Sequence, residues 1–110
     1  PLGIIKHKPI IHTILKDSPA ERAGLKAGHE IIKVNNTALN GDAKLLLNMI
    51  AAHPEKPILL SIITSKKSDA DYALGDVLLT PGSREIIENG ETKKIGIWGV
   101  QLEIDEMPTY

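Results

Sequence analysis

The sequence predicts an α+β domain, a small and strongly bent antiparallel sheet capped by two helices. Three observations predict it. Apolar residues make up 42% of the chain, yet there is no Phe, one Trp (Trp98) and two Tyr (Tyr72, Tyr110), and such aliphatic richness suits strands packed on short helices. Two helix-start signals stand at Ser18 and Asp42. Between and after them run short aliphatic stretches bounded by turn residues, the last of which carry an Asn-Gly hairpin signal. At 110 residues the chain fits one domain, 1–110, and cannot hold two independent cores.

Pro9 to Leu15 (PIIHTIL) is the first expected strand, with His12 as a partly buried imidazole among isoleucines. Ser18-Pro19-Ala20-Glu21 then places a Ser at the N-cap, a Pro at the first helical position and a Glu where a capping box needs it. The Glu21 carboxylate is expected to reach back to the Ser18 amide. Gly24 supplies a left-handed stop after little more than one turn, and Leu25 follows as its hydrophobic contact. Gly28 turns the chain into a strand over Glu30–Val34, and Asn35-Asn36 reads as a turn. Asp42 caps a helix over Ala43–Ala52, which ends at His53-Pro54 because the residue before a proline avoids helical geometry. Ile58 to Thr64 is the next strand and Ser65 to Asp71 a polar loop. Asp76–Thr80 and Arg84–Glu88 are shorter strands around Pro81-Gly82, and Asn89-Gly90 closes a hairpin. Ile95–Ile104 is the last strand, with Val100, Leu102 and Ile104 on one face and Gln101 and Glu103 on the other.

Several classes of chemistry are excluded by what is missing. The net charge of -1 comes without any long basic run, so no electrostatic footprint for nucleic acid exists. Cysteine is absent, which removes disulfide, zinc-thiolate and thiol-nucleophile chemistry but does not choose a compartment. No apolar run approaches the ~18 residues a membrane span needs. No pair among His7, His12, His29 and His53 has the spacing of an HExxH zinc helix. No GxSxG elbow surrounds any serine. Asp69 and Asp71 lack the glycine turn and downstream Glu of a calcium loop, and Gly90, Gly96 and Gly99 precede no helix that could cap a phosphate. The expectation is a non-catalytic chain without metal or cofactor of its own.

Two features ask for a functional explanation. The helix Ala43–Ala52 carries only Lys44 and Asn48 as polar residues. Leu46 and Ile50 form one apolar stripe, and Leu47 with Ala43 and Ala51 forms a second beside it. Either the domain buries both, or the second stripe lines a groove open to a ligand. The other feature is Lys94-Ile95-Gly96-Ile97-Trp98-Gly99-Val100, where two glycines alternate with apolar residues. This arrangement is compatible with a nest of amides for a carboxylate, with a bulge, or with room made for Trp98.

Residues Ser18–Asn35 (SPAERAGLKAGHEIIKVN) resemble the PDZ signature of bacterial proteases, and Pro9–Ala20 resembles the strand before it. His29 stands where that family usually has Asp, and Asn36 where it usually has Gly. Leu79-Thr80-Pro81 followed by Ile95-Gly96-Ile97 resembles more closely the PDZ domains of site-2 intramembrane zinc metalloproteases of the regulator-of-sigma-E type. The resemblance implies a circularly permuted PDZ-like fold, with a bent sheet or partial barrel and the peptide-binding segment near the C-terminal end. It implies extended or C-terminal peptide segments of protein substrates as partners. They would pair by strand addition with Ile97–Val100, the carboxylate would meet amides near Ile95–Ile97, and a side chain would enter between Ile97 and the Leu47/Ile50 stripe.

It further implies a regulatory role in a membrane-embedded parent enzyme, on the extracytoplasmic (periplasmic) side of the bacterial inner membrane. The zinc and its HExxH motif would lie outside this fragment, itself expected to be monomeric. Residues 1–5 would be a protease-site remnant or the tail of a preceding domain, and 105–110 a linker. Leu2-Gly3-Ile4 also resembles the carboxylate segment. The groove lies there instead if the parent is a soluble periplasmic serine or tail-specific protease, and a scaffold domain is the remaining alternative.

Overall fold

The structure is a computed structural model that describes residues 5–6, 9–103 and 105–106. Twelve elements follow in order: β1 (Ile5–Lys6), β2 (Ile11–Ile14), α1 (Pro19–Ala23), β3 (Glu30–Val34), β4 (Thr37–Ala38), α2 (Ala43–Ala51), β5 (Ile58–Ser68), β6 (Asp71–Leu79), β7 (Gly82–Glu88), β8 (Glu91–Ile97), β9 (Val100–Leu102) and β10 (Asp105–Glu106). All strand pairings are antiparallel: a four-stranded sheet β4-β3-β5-β6 and the pairs β7-β8, β2-β9 and β1-β10. An isolated bridge from Ile10 to Glu30 joins β2 to β3, and the bonds Ile11 N→His29 O and Ile31 N→Pro9 O reinforce it. The strands thus bend around one core but remain open sheets, not a closed barrel.

That core is aliphatic, as the composition demands. Ile11, Ile31, Val34, Leu39, Leu46, Ile50, Ile58, Leu60, Ile62 and Leu79 are all buried, with Trp98 among them. In β5 the alternation is strict, with Ile58, Leu60 and Ile62 facing the core and Leu59, Ser61 and Ile63 only half-buried. Side-chain period two turns one face inward.

α1 forms for local reasons. The Ser18 hydroxyl accepts from the Glu21 amide at 3.2 Å, and Gly24 ends the helix at φ 89°. The buried Leu25 follows, its amide bonded to the Ala20 carbonyl. One detail departs from the expected capping box: the Glu21 carboxylate accepts from the Asp17 amide at 3.0 Å, one residue before Ser18. Asp17 takes a positive φ of 61°, which turns its amide toward the helix. Asn35 and Asn36 both adopt left-handed geometry (φ 48° and 68°), so Asn36 takes the conformation that glycine would provide. The Asn35 side chain also accepts from the Leu59 amide at 2.8 Å and pins the turn to β5.

Three expectations need correction. His12 is exposed, because its neighbour Ile11 takes the core side and the ladder of β2 shifts register between Ile11 and Thr13; its Nδ1 meets the Thr13 hydroxyl at 2.8 Å. Ser65 to Asp71 is not a loop: β5 continues to Ser68 and β6 starts at Asp71, leaving a tight turn at Asp69-Ala70. This end of the ladder stands outside the core, so it needs backbone pairing but no apolar face. The expected strand Ile95–Ile104 is two strands, β8 and β9, broken at Trp98-Gly99 where Gly99 has φ 77°. The expectations for Leu2-Gly3-Ile4, Ile104 and His7 lie outside the described residues.

Candidate peptide groove

α2 begins at Asp42, whose carboxylate accepts from the Lys44 and Leu45 amides at 3.0 and 3.2 Å. Ala43, Leu46 and Ile50 form its buried stripe. Ala43 therefore belongs with the core residues, and the second stripe reduces to Leu47, 45% exposed, and half-buried Ala51. Lys44 and Asn48 are exposed, as expected. A leucine this exposed on a nine-residue helix otherwise seated on the core is the outward apolar feature of α2.

α2 packs against β8 through a backbone contact. A Cβ placed on Gly96 would overlap the Ile50 carbonyl oxygen and lie 3.1 Å from the Ile50 carbonyl carbon and 3.3 Å from Pro81 Cβ. Only glycine lets the last turn of α2 and the strand approach this closely. Gly96 thus points toward α2. By strand alternation Ile95 and Ile97 point the other way, and Ile97 Cγ1 lies over Gly82, 3.5 Å from where that residue's Cβ would stand. Ile97 keeps 38% exposure and Ile95 is half-buried.

Trp98 is buried at 4% exposure, and its carbonyl accepts from the Ala20 amide at 3.0 Å. Gly99 is required twice, by its positive φ and because a Cβ there would overlap Ser18. The link Trp98-Gly99 is thereby clamped on the start of α1 and delivers the chain into β9. β9 pairs with β2 (Ile14↔Val100, Thr13↔Gln101, Ile11↔Leu102), its only strand partner among the described residues. No described strand pairs with its other edge. Val100 and Leu102 are half-buried and Gln101 is exposed.

Ile95–Ile97 lies in regular register with β7 (Arg84↔Ile95, Ser83↔Gly96, Gly82↔Ile97). Successive amides of such a strand alternate in direction, so these three do not converge as a nest would. Sequence reading also missed Glu55, which has φ 59° in the turn after α2. Its amide donates to the Pro81 carbonyl at 3.1 Å. Its carboxylate accepts from the Ser83 hydroxyl at 3.1 Å and lies 3.6 Å from Lys94 Nζ. Nothing local announces this tie, because its partners stand far away in sequence.

Elsewhere, His29 Nδ1 accepts from the Lys26 amide at 3.2 Å and closes the turn that Asp usually braces. Partial burial, aided by the nearby Lys26 charge, holds this imidazole below its ordinary 6.5. Among the described residues no group of three or more His, Asp or Glu could share a metal ion, so they do not fit a zinc site. No described helix is long and apolar enough to cross a membrane.

A bent sheet with a short capped helix after its first core strand and a longer helix is matched from residue 10 to 64 by the PDZ domain family model. This chain belongs to the PDZ domain family. The match runs from β2 into β5, so it includes α2 but stops before β8 and β9. Likeness to individual proteins extends further. The chain is 30% identical over 97% of its length to Protease RseP of Yersinia pestis, of which it covers 22%. It is 29% identical over 90% of its length to Zinc metalloprotease RasP of Geobacillus kaustophilus, covering 21%. This PDZ domain therefore spans about a fifth of the length of these curated relatives.

Proposed function

We propose that this PDZ domain is the non-catalytic, peptide-receiving module of a site-2 type zinc metalloprotease. It stands on the extracytoplasmic side of the bacterial inner membrane and regulates which substrate segments reach a zinc centre carried elsewhere in the parent chain. The kinship with RseP and RasP supports the parent assignment.

One observation carries the binding reading. β9 is paired on a single edge, while α2, seated against β8, exposes Leu47. An extended segment adds to the free edge of Val100–Leu102, and Leu47 and Ala51 receive one of its apolar side chains. Gly96 sets the spacing of helix and strand, while Ile50 and Trp98 hold these walls from the core. Ile95, Ile97 and Gly99 supply backbone along the rim, and Ala43 anchors the start of α2.

Burying one apolar side chain is worth about 1.5–3 kcal/mol. Association itself costs several, so the affinity is micromolar or weaker. Weak capture suits a gate that must release what it admits.

The test is titration of a fluorescently labelled extended apolar peptide by anisotropy, on the wild-type domain and on Leu47→Asp. A charged carboxylate in the slot should weaken binding by about tenfold or more, the cost of placing an unpaired charge where an apolar side chain docks. Ile87→Asp, at an 80% exposed position on β7, should change little. Equal affinities for wild type and Leu47→Asp would overturn the assignment.

A further inference from the structure

We infer that, against the expectation of a monomer, two copies of this chain associate face to face through the outer surface of the β5–β6 hairpin. The inference does not rest on the peptide groove.

The outward face of this hairpin is apolar and bare. Residues directly opposite each other on antiparallel strands point to the same side, and the register pairs Leu59 with Leu78, Ser61 with Asp76 and Ile63 with Leu74. Ile58, Leu60 and Ile62 take the core side of β5, so these three rows point outward. Leu74 and Leu78 are 62% and 64% exposed, and Leu59 and Ile63 are half-buried. Single surface leucines are ordinary, but apolar residues contiguous across two strands mark an interaction surface.

The pattern of this face selects a second copy as its occupant. A two-fold interface brings one patch against itself, so the patch must complement itself. An axis parallel to β5 and β6 and midway between them lays β6 of the second copy over β5 of the first, with strands aligned as in packed sheets. Leu59 then meets the second copy's Leu78, and Ile63 its Leu74, so apolar rows meet apolar rows. In the row between them, the Asp76 carboxylate accepts from the hydroxyl of the second copy's Ser61. Lys33 is the register partner of Ser61 on β3, so it flanks that same carboxylate from one strand further out. Lys33 and Asp76 are both exposed, and among the described residues neither has an ion-pair partner within its own copy. The symmetry forms their pair twice.

Seven residues a side are far fewer than the roughly 20–30 of a standard interface, so the dimer is weak, with a Kd of the order of 100 µM. It also leaves the groove open. α2 shares the core with the inner face of β5, so the outer face is turned away from α2.

The experiment is sedimentation of the intact domain from about 10 µM to about 1 mM, where the mass should rise from 11.9 kDa toward twice that value. Leu74→Asp should weaken the dimer at least tenfold, since each dimer then carries two charges in its apolar rows. Ile87→Asp, at an 80% exposed position on β7, should leave the dimer unchanged. Asp76→Lys should weaken it about threefold or more, and Lys33→Asp combined with Asp76→Lys should restore it, because the swap re-forms both pairs. A mass that stays at 11.9 kDa up to about 1 mM would overturn the inference and leave this face to a different partner. A dimer that Leu74→Asp does not weaken, or one lost in Asp76→Lys and not recovered in the charge swap, would overturn it equally.

Discussion

Substitution of Gly96 by alanine tests the packing that places α2 beside β8. The added methyl would overlap the Ile50 carbonyl oxygen and crowd the Ile50 carbonyl carbon at 3.1 Å and Pro81 Cβ at 3.3 Å. The Ile50 atoms are backbone, so no rotamer change relieves them, and helix and strand must part. Overpacking of this kind costs about 3 kcal/mol, while replacing a strand glycine by alanine returns about 0.5–1 kcal/mol of chain entropy. The net loss is about 2 kcal/mol, a fall in Tm of roughly 8 °C for a domain of this size. Gly75→Ala in β6 is the matched control: its Cβ would meet only side-chain atoms at ordinary contact distance, Thr64 Cγ2 at 3.4 Å and Ile62 Cγ1 at 3.9 Å, with no positive φ, so stability should hold within about 0.5 kcal/mol. Urea unfolding followed by the fluorescence of buried Trp98 measures both variants. Equal midpoints for Gly96→Ala and wild type would refute the close approach of α2 and β8, and the groove geometry with it.

Further outcomes follow from the same geometry. Ser18→Ala removes the acceptor for the Glu21 amide and should cost about 1 kcal/mol by urea denaturation, whereas Ser18→Asp, which keeps a cap, should lose less. Gly99→Ala combines a positive φ with overlap on Ser18 and should be more damaging than Ser18→Ala in the same assay. Because folded His29 resists protonation, the unfolded chain binds the extra proton first. The contribution of His29 is thus full above pH 6.5 and is lost as pH falls from there through its lower folded-state value. His29→Asn, which can still accept from the Lys26 amide, should flatten that part of the stability profile. A wild-type curve that stayed parallel to the variant's from pH 7 to pH 5 would contradict this.

What could be read from the residues was whatever depends on near neighbours. The Ser18 cap, the Gly24 stop, the bounds of β3, the Asp42 cap and the Asn89-Gly90 turn (φ 52° and 78°) are each decided within a few positions. The β5–β6 extension was hidden, because a ladder outside the core carries the same polar residues as a loop. The break at Trp98-Gly99 depends on contacts with Ser18 and Ala20, far away in the chain. At the groove, period two already placed Gly96 opposite Ile95 and Ile97, but which face met α2 was set by the fold. Likewise Ala43 and Leu47 look alike as apolar helix positions until the core is assembled around one of them.

The most direct measurement is a two-dimensional 1H–15N NMR titration of the labelled domain with an extended apolar peptide. The account predicts that the amides of Val100, Gln101 and Leu102 shift together with those of Leu47 to Ala51, while β6 stays still. Shifts confined to β6 or to the turn at Asn89-Gly90, with β9 and α2 unmoved, would contradict it.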